Sequence, residues 1–470
     1  MKRFTVVMLV LMLTTLVLPG CAAPTPQVIE KQVVVEKPVI QTVVVEKQVN
    51  VEKPVIQTVQ VEVSNVPKDA KLNVWGYQSF VEGADDIFRG QVKDWSSMTG
   101  VPVEVTMING DDMAAKYAAA LEAPSTLPDI LVMDSPFFPM FQEAGRLLDV
   151  SDVASDLNKL QGGVLPGALT GVTVNGKQYA MPYLGDVMIS YLRKDVFDAA
   201  GVPIPTTYEE LLQACPKISK PGSMYCWGLN MNGYGDPDFA GRGLIWSFGG
   251  RLTDETGKKV TLCSPETLAA YKWFQSMIDA GAFPPDAATA DDFGNNLWWQ
   301  KKLTAFTSNS PSIVSWMDAN DKETLKNTVV AAPLKGPAGQ YMPVNTFTLA
   351  ATTNSKYPDL AKKLFGYLAG PEREMAYIAA AGYPQLPVYK NLLGRPPYSS
   401  DALMKAEADT MISSVVQSWP APPTSASTEM ITQGVIRKSF VSMLVDKVTP
   451  EQAMANACKQ LEEIVARHAK

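Results

Sequence analysis

The strongest constraint on the fold is an alternation of two periodicities between residues 72 and 134. Leu72-Asn73-Val74-Trp75, Val103-Glu104-Val105-Thr106-Met107 and Asp129-Ile130-Leu131-Val132-Met133 have the length and composition of strands. Residues 87–98 and 113–121, between them, carry apolar positions at helical spacing. A strand–helix–strand–helix–strand rhythm predicts a mostly parallel sheet covered by helices, because parallel neighbours need long crossovers. Ligands of such sheets collect beyond the carboxyl ends of the strands. Trp75, Tyr77, Asp134, Phe137 and Phe138 stand at or just past those ends, which makes them pocket candidates. Later helices are announced by their caps. Thr207 and Glu210 form a capping box, and Thr449 precedes Pro450 at the first position of a helix. On that helix Ala453, Met454, Ala457, Cys458, Leu461, Ile464 and Val465 share one packing face.

Upstream of the sheet the chain is of another kind. Lys2 and Arg3 precede an uncharged, mostly apolar run over residues 4–18, and Leu18-Pro19-Gly20 then leads into Cys21. This reads as a secretory signal over residues 1–20, with an apolar run too short for a comfortable membrane span. Leu18-Pro19-Gly20-Cys21 resembles the bacterial lipobox, which implies a diacylated Cys21 and a protein lipid-anchored outside the cytoplasm. Ordinary cleavage after Ala22 or Ala23 is the other reading. Residues 21–70 then form a tether. Within it, Val33 to Thr42 recurs as Val49 to Thr58, a period of sixteen. Pro38 and Pro54 forbid a continuous helix, so the valines do not make a coiled coil. An extended stalk reaching roughly 150 Å at about 3.3 Å per residue is expected, a self-pairing β segment being the alternative.

Composition narrows the chemistry. The net charge of −7, or −9 without Lys2 and Arg3, comes with no basic block, which argues against a nucleic-acid partner. About 400 residues follow the tether, enough for two domains. His468 is the only histidine, so Ser-His-Asp and Cys-His catalysis and the common imidazole metal sites are removed. No metal site and no cofactor is expected. Besides Cys21 there are Cys215, Cys226, Cys263 and Cys458, an even number compatible with two disulfides in an exported protein. Three pairings are possible. Cys215 with Cys226, with only ten residues between them, is favoured, leaving Cys263 with Cys458; buried free thiols are the other reading.

A series of short phrases, in order, resembles the family 1 extracellular solute-binding proteins, the sugar-binding components of ABC importers. Pro128-Asp129-Ile130 and Ala144-Gly145-Arg146-Leu147-Leu148 come first, then Asn175-Gly176-Lys177-Gln178-Tyr179-Ala180-Met181-Pro182. Tyr191-Leu192-Arg193-Lys194-Asp195-Val196-Phe197 and Pro205-Thr206-Thr207-Tyr208-Glu209-Glu210-Leu211 follow. Gly249-Gly250-Arg251-Leu252, Pro358-Asp359-Leu360-Ala361 and Gly382-Tyr383-Pro384 complete the set. The likeness covers residues 71–469. Lys302-Leu303-Thr304-Ala305 and Val344-Asn345-Thr346 depart from the usual phrases, and Arg193 replaces the usual asparagine. The resemblance implies an α/β, two-lobe periplasmic-binding-protein-like fold of type II, with the ligand between lobes joined by a three-crossing hinge. Residues 71–184 and 330–373 would form lobe one, and residues 185–329 and 374–470 lobe two. The crossings would fall near Leu184, Val329 and Glu374.

The implied function is capture of a sugar or oligosaccharide by a monomer and its delivery to the permease subunits of an ABC transporter. A sugar needs flat aromatic platforms and planar polar groups. Trp75, Tyr183, Trp246 and Tyr383 are the stacking candidates, with Tyr77 beside them. Asp111, Asp134, Asp186, Asn309 and Asn345 are the polar ones, although Asp111-Asp112 reads equally well as the cap of the helix starting at Met113. Of Trp298 and Trp299, adjacent on one element, only one is expected to reach a pocket. Two alternatives remain open: the same fold carrying a polyamine, an anion or a metal chelate, and a surface glycosidase using Asp134 and Asp186.

Overall fold

The computed structural model describes residues 66–469 apart from residues 80, 82 and 234 and the side chain of Asp111. The leader, Cys21 and the sixteen-residue repeat lie outside the described residues. In chain order the strands are β1 (Leu72–Tyr77), β2 (Val103–Ile108), β3 (Ile130–Asp134), β4 (Thr173–Val174), β5 (Lys177–Gln178), β6 (Met181–Val187), β7 (Ile189–Arg193), β8 (Tyr225–Trp227), β9 (Thr304–Asn309), β10 (Thr328–Ala331), β11 (Pro343–Ala351) and β12 (Val415–Val416). They build two main sheets. The first has the order β12-β11-β3-β1-β2, with β6 also on β11; the second has the order β10-β7-β9-β8.

The early rhythm folds as its pattern requires. β1 runs parallel to both β2 and β3. The helix Ala84–Thr99 connects β1 to β2 and buries Ala84, Phe88, Val92 and Trp95, one stripe of a 3.6-residue period. β3 is buried throughout because its alternate side chains feed two cores. Ile130 and Val132 join Leu72, Val74 and Trp95 on one face, while Leu131 and Met133 join Tyr117 and Phe141 on the other. The sheet is less parallel than the sequence suggests, since β11 runs antiparallel to both β3 and β6. A late strand thus returns through the middle of an early sheet, which no local pattern could announce. β4 and β5 form a small hairpin whose turn, Asn175-Gly176, holds φ at 51° and 76°, the left-handed pair that a two-residue hairpin loop demands.

The second sheet divides its side chains in the same way. Leu192, Trp227 and Phe306 enter a large core with Trp246, Phe274 and Phe440, while Ile189 and Tyr191 face Trp299, Ile313 and Met317. Two disulfides brace this half. Cys215–Cys226 ties the helix Tyr208–Ile218 to β8, and Cys263–Cys458 ties the start of the helix Pro265–Asp279 to the final helix Pro450–His468.

The chain passes between the sheets at three places. β6 continues into β7 through Met188 alone, four residues beyond Leu184. Residues 332–342 carry it back from β10 to β11. The third passage is far from Glu374. Tyr377, Ile378, Leu386, Val388, Tyr389 and Met411 all belong to the first core, and β12 still pairs with β11. The second core takes up the chain from Val415, through Trp419, to Ala426. Just before Glu374, Pro371 opens a further helix, Pro371–Ala380. That helix packs back on Ala84–Thr99, where Gln91 donates from Nε2 to the Arg373 carbonyl at 2.8 Å. Met188, Phe239 and Met342 form a small separate apolar cluster beside the first two passages.

Candidate ligand cleft

Between the sheets lies a cleft of about 840 Å³, its open mouth included. The first sheet supplies Tyr77 from the end of β1, Asp134 from the end of β3, Asp186 from β6, and Asn345 and Phe347 from β11. Register explains their convergence. Asn345 stands opposite Asp186, and Phe347 opposite Asp134. Residues two apart on β11 share a face, so both carboxylates are turned the same way. The Tyr77 and Phe347 rings meet at 4.4 Å between centroids, tilted by 44°. Asn345 is a junction: its Nδ2 donates to Asp134 Oδ1 at 3.1 Å, and its Oδ1 accepts from Gln417 Nε2 at 3.1 Å and Ser135 Oγ at 3.3 Å.

The second half supplies Asn309 from the end of β9, Asp236 from the start of the helix Asp236–Phe248, and Asp292 and Asn296. Asn309 Nδ2 donates to Asn296 Oδ1 at 2.6 Å. Asn295, itself buried, donates to Asp236 Oδ2 at 2.6 Å. Asp292 accepts from Asn230 Nδ2 at 3.1 Å and from the Gly235 amide at 3.0 Å. Amides, hydroxyls and carboxylates therefore make up most of the lining side chains, with Phe239 and the Tyr77–Phe347 pair as the aromatic surface.

The electrostatics are unusual. Burial lifts the Asp134 carboxyl to about 6, against the Asn345 hydrogen bond and with help from the charge on Asp292. Burial and then the charge on Asp134 lift Asp186 to about 7. Burial, with the charges of Asp292 and Asp186, raises Asp236 well above the ordinary carboxylate range. Despite these carboxylates, no group of His, Cys, Asp or Glu among the described residues is arranged to hold a metal ion.

Of the residues expected from the sequence, Tyr77, Asp134, Asp186, Asn309 and Asn345 meet in this cleft. Asp111 lies in the helix Gly110–Glu122, whose first residue borders it, but its side chain is outside the described residues. The stacking candidates lie elsewhere. Trp75 stacks on Tyr117 at 6.4 Å with Lys116 over its outer face. Tyr183 is buried against Phe88 and Tyr377, and Trp246 is fully buried against Trp419. Tyr383, at φ 62°, packs edge-on against Tyr398, and its neighbours Pro384 and Gln385 line the cleft instead. Trp298 and Trp299 face different cores, and neither borders the cleft. Asp236, Asp292, Asn296 and Gln417 are not singled out by the sequence. Only the proline after Asp236, marking a helix start, hints at one of them.

Two α/β lobes around a polar cleft define a two-lobed binding protein. The profile of bacterial extracellular solute-binding proteins matches residues 82–375, and the chain belongs to that family. It is therefore a solute-binding protein and not an enzyme, and the glycosidase alternative falls. A probable ABC transporter-binding protein of Deinococcus radiodurans is 24% identical over 401 residues, covering 82% of this chain and 91% of that one. Among solved structures, maltose-bound MalE3 of T. maritima superposes with a TM-score of 0.72 at 23% identity, over 84% of this chain and 100% of that one. A sugar transporter from Arthrobacter chlorophenolicus with bound laminaribiose gives 0.75 at 16% identity, over 84% and 99%. These likenesses establish the two-lobed, maltose-binding-protein-like fold.

Proposed function

We propose that the protein captures a sugar or oligosaccharide outside the cytoplasm and presents it to the permease of an ABC importer. The observation that carries this reading is the cleft itself. Asn296, Asn345, Gln385 and Gln417 offer planar amides that both donate and accept, beside the Tyr77 and Phe347 rings. A sugar presents hydroxyls and apolar C–H faces suited to that pairing. Structural neighbours hold maltose and laminaribiose in the same fold. Ligand would bridge the two walls and shift the lobes toward a closed form, which the permease reads. Diacylation of Cys21 would keep the monomer at the membrane, with residues 21–70 as its tether.

A thermal-shift screen of the full-length protein against mono- and oligosaccharides tests the cleft. A ligand at about a hundred times its Kd stabilises by roughly 2.7 kcal/mol. A shift with a sugar series, weakened by Asn345→Ala, supports the reading; no response to any sugar rejects it. Labelling with a radioactive fatty acid tests the anchor. Label retained by Cys21→Ser would reject lipidation at that residue.

A further inference from the structure

The family reading leaves the charge of the cleft unexplained. Asp134, Asp186, Asp236 and Asp292 come from four separate stretches of chain and line one cavity. Among the described residues that border it there is no lysine, arginine or histidine. Elsewhere in the described residues buried carboxylates occur singly: Glu374 accepts from the Val388 amide and Glu407 from the Tyr191 hydroxyl. Two residues after Asp236 on the same helix, buried Asp238 is paired with buried Arg242. In the cleft the carboxylates meet neutral partners instead: Asn345 for Asp134, and Asn295 for Asp236. Asp186 is left furthest from satisfaction, for its Oδ1 is shut off from solvent and has no hydrogen-bond partner.

We propose that this cleft is built for a ligand carrying a protonated amine, as in an aminated sugar or a linear polyamine, rather than for a neutral or acidic sugar. The proposal rests on the reading that the cleft is the ligand site. Buried carboxylates without a counter-charge are costly, and several together repel one another. A neutral hydroxyl can donate to one oxygen but leaves that repulsion in place. An ammonium group brings three donors and the missing positive charge. An acidic ligand would add to the repulsion. The upward displacement of Asp134, Asp186 and Asp236 is the same imbalance seen from the ligand-free side. The surrounding amides and the Tyr77–Phe347 pair suit the uncharged remainder of a sugar, so the aminated sugar is the favoured source.

The test is calorimetry on the full-length protein in detergent. The probes are glucose, glucosamine, N-acetylglucosamine and glucuronic acid, their β-1,4-linked disaccharides, and spermidine as a cation without hydroxyls. The expected result is that glucosamine forms bind roughly tenfold or more tighter than their glucose and N-acetyl counterparts. Asp186→Asn and Asp236→Asn should shrink that ratio by a similar factor while unfolding no earlier than the wild type, since each removes a repelling charge. Neutral sugars binding as tightly as aminated ones would overturn the proposal and leave the sugar reading intact. Spermidine bound with no sugar bound would support the charge argument and overturn the sugar reading. Binding of neither sugars nor amines would overturn both.

Discussion

Asp186→Asn gives a sharp test of the electrostatics of the ligand-free cleft. A carboxyl raised from 3.8 to about 7 on folding holds a proton that the unfolded chain gives up. Its folded state therefore binds more protons than the unfolded one across that interval, and stability falls as pH rises through it. Below pH 4 both states are protonated and the group contributes no penalty. Between pH 5 and pH 8 this single carboxyl removes about 2.5 kcal/mol, with roughly 1.5 kcal/mol already lost below pH 5. Asparagine resembles the protonated acid in shape and does not titrate. The variant should thus gain on the wild type as pH rises, by about 2.5 kcal/mol more at pH 8 than at pH 5. Asp134 shares its wall of the cleft and Asp236 stands on the other half, while Tyr191 and Glu407 also feel its charge; Glu407, raised to about 8, titrates the same way and adds to the wild-type slope. Urea unfolding of ligand-free protein at the two pH values, disulfides intact, measures the difference directly. A wild type as stable at pH 8 as at pH 5, with no growing advantage for the variant, would refute the claim that Asp186 is buried without a counter-charge.

Three further outcomes separate structure from binding. Trp246→Ala should cost about 3–5 kcal/mol, read by urea unfolding, yet leave ligand affinity unchanged, because Trp246 sits in the second core and away from the cleft. Gly336→Ala should destabilise by about 1–3 kcal/mol, since its new Cβ would lie 2.4 Å from the Ser247 carbonyl oxygen, a backbone atom with no rotamer to escape into. Thermal unfolding measures that cost, and an unchanged midpoint would contradict the packing described. Cys263→Ser with Cys458→Ser opens a loop of 195 residues and should lose about 5 kcal/mol, against about 3 kcal/mol for Cys215→Ser with Cys226→Ser, which opens only 11. Equal losses for the two double variants would argue against chain entropy as the source.

Which features the sequence discloses depends on how local their causes are. The order β1 to β3, the Thr207 capping box and the buried face of the last helix each follow from neighbouring residues, and each is present. Tyr77 and Asp134 could be named because a strand end is a place that can be found from periodicity. Tyr183 and Trp246 mislead for a related reason. β6 and the helix Asp236–Phe248 are covered on nearly all sides, so an aromatic there has no solvent-facing direction that would mark it as packing. Asp236 and Asp292 are drawn inward by Asn295 and Asn230, partners whose role appears only when distant segments meet. The third passage between lobes is hidden likewise, since a proline that ends one helix and a proline that begins the next look alike in isolation.

The cluster of Met188, Phe239 and Met342 has a mechanical consequence. It touches the one-residue link between β6 and β7, the end of the return passage, and a wall of the cleft at once. Two of its three members are unbranched thioethers, which re-pack at little cost. If the lobes swing as proposed, the pivot has a compliant lining rather than an interlocking one, and the resting angle is left to the groups facing each other across the cleft. Valine or isoleucine at positions 188 and 342 would turn that soft bearing into a stiff one. Ligand would then have to work against packing as well as against empty space.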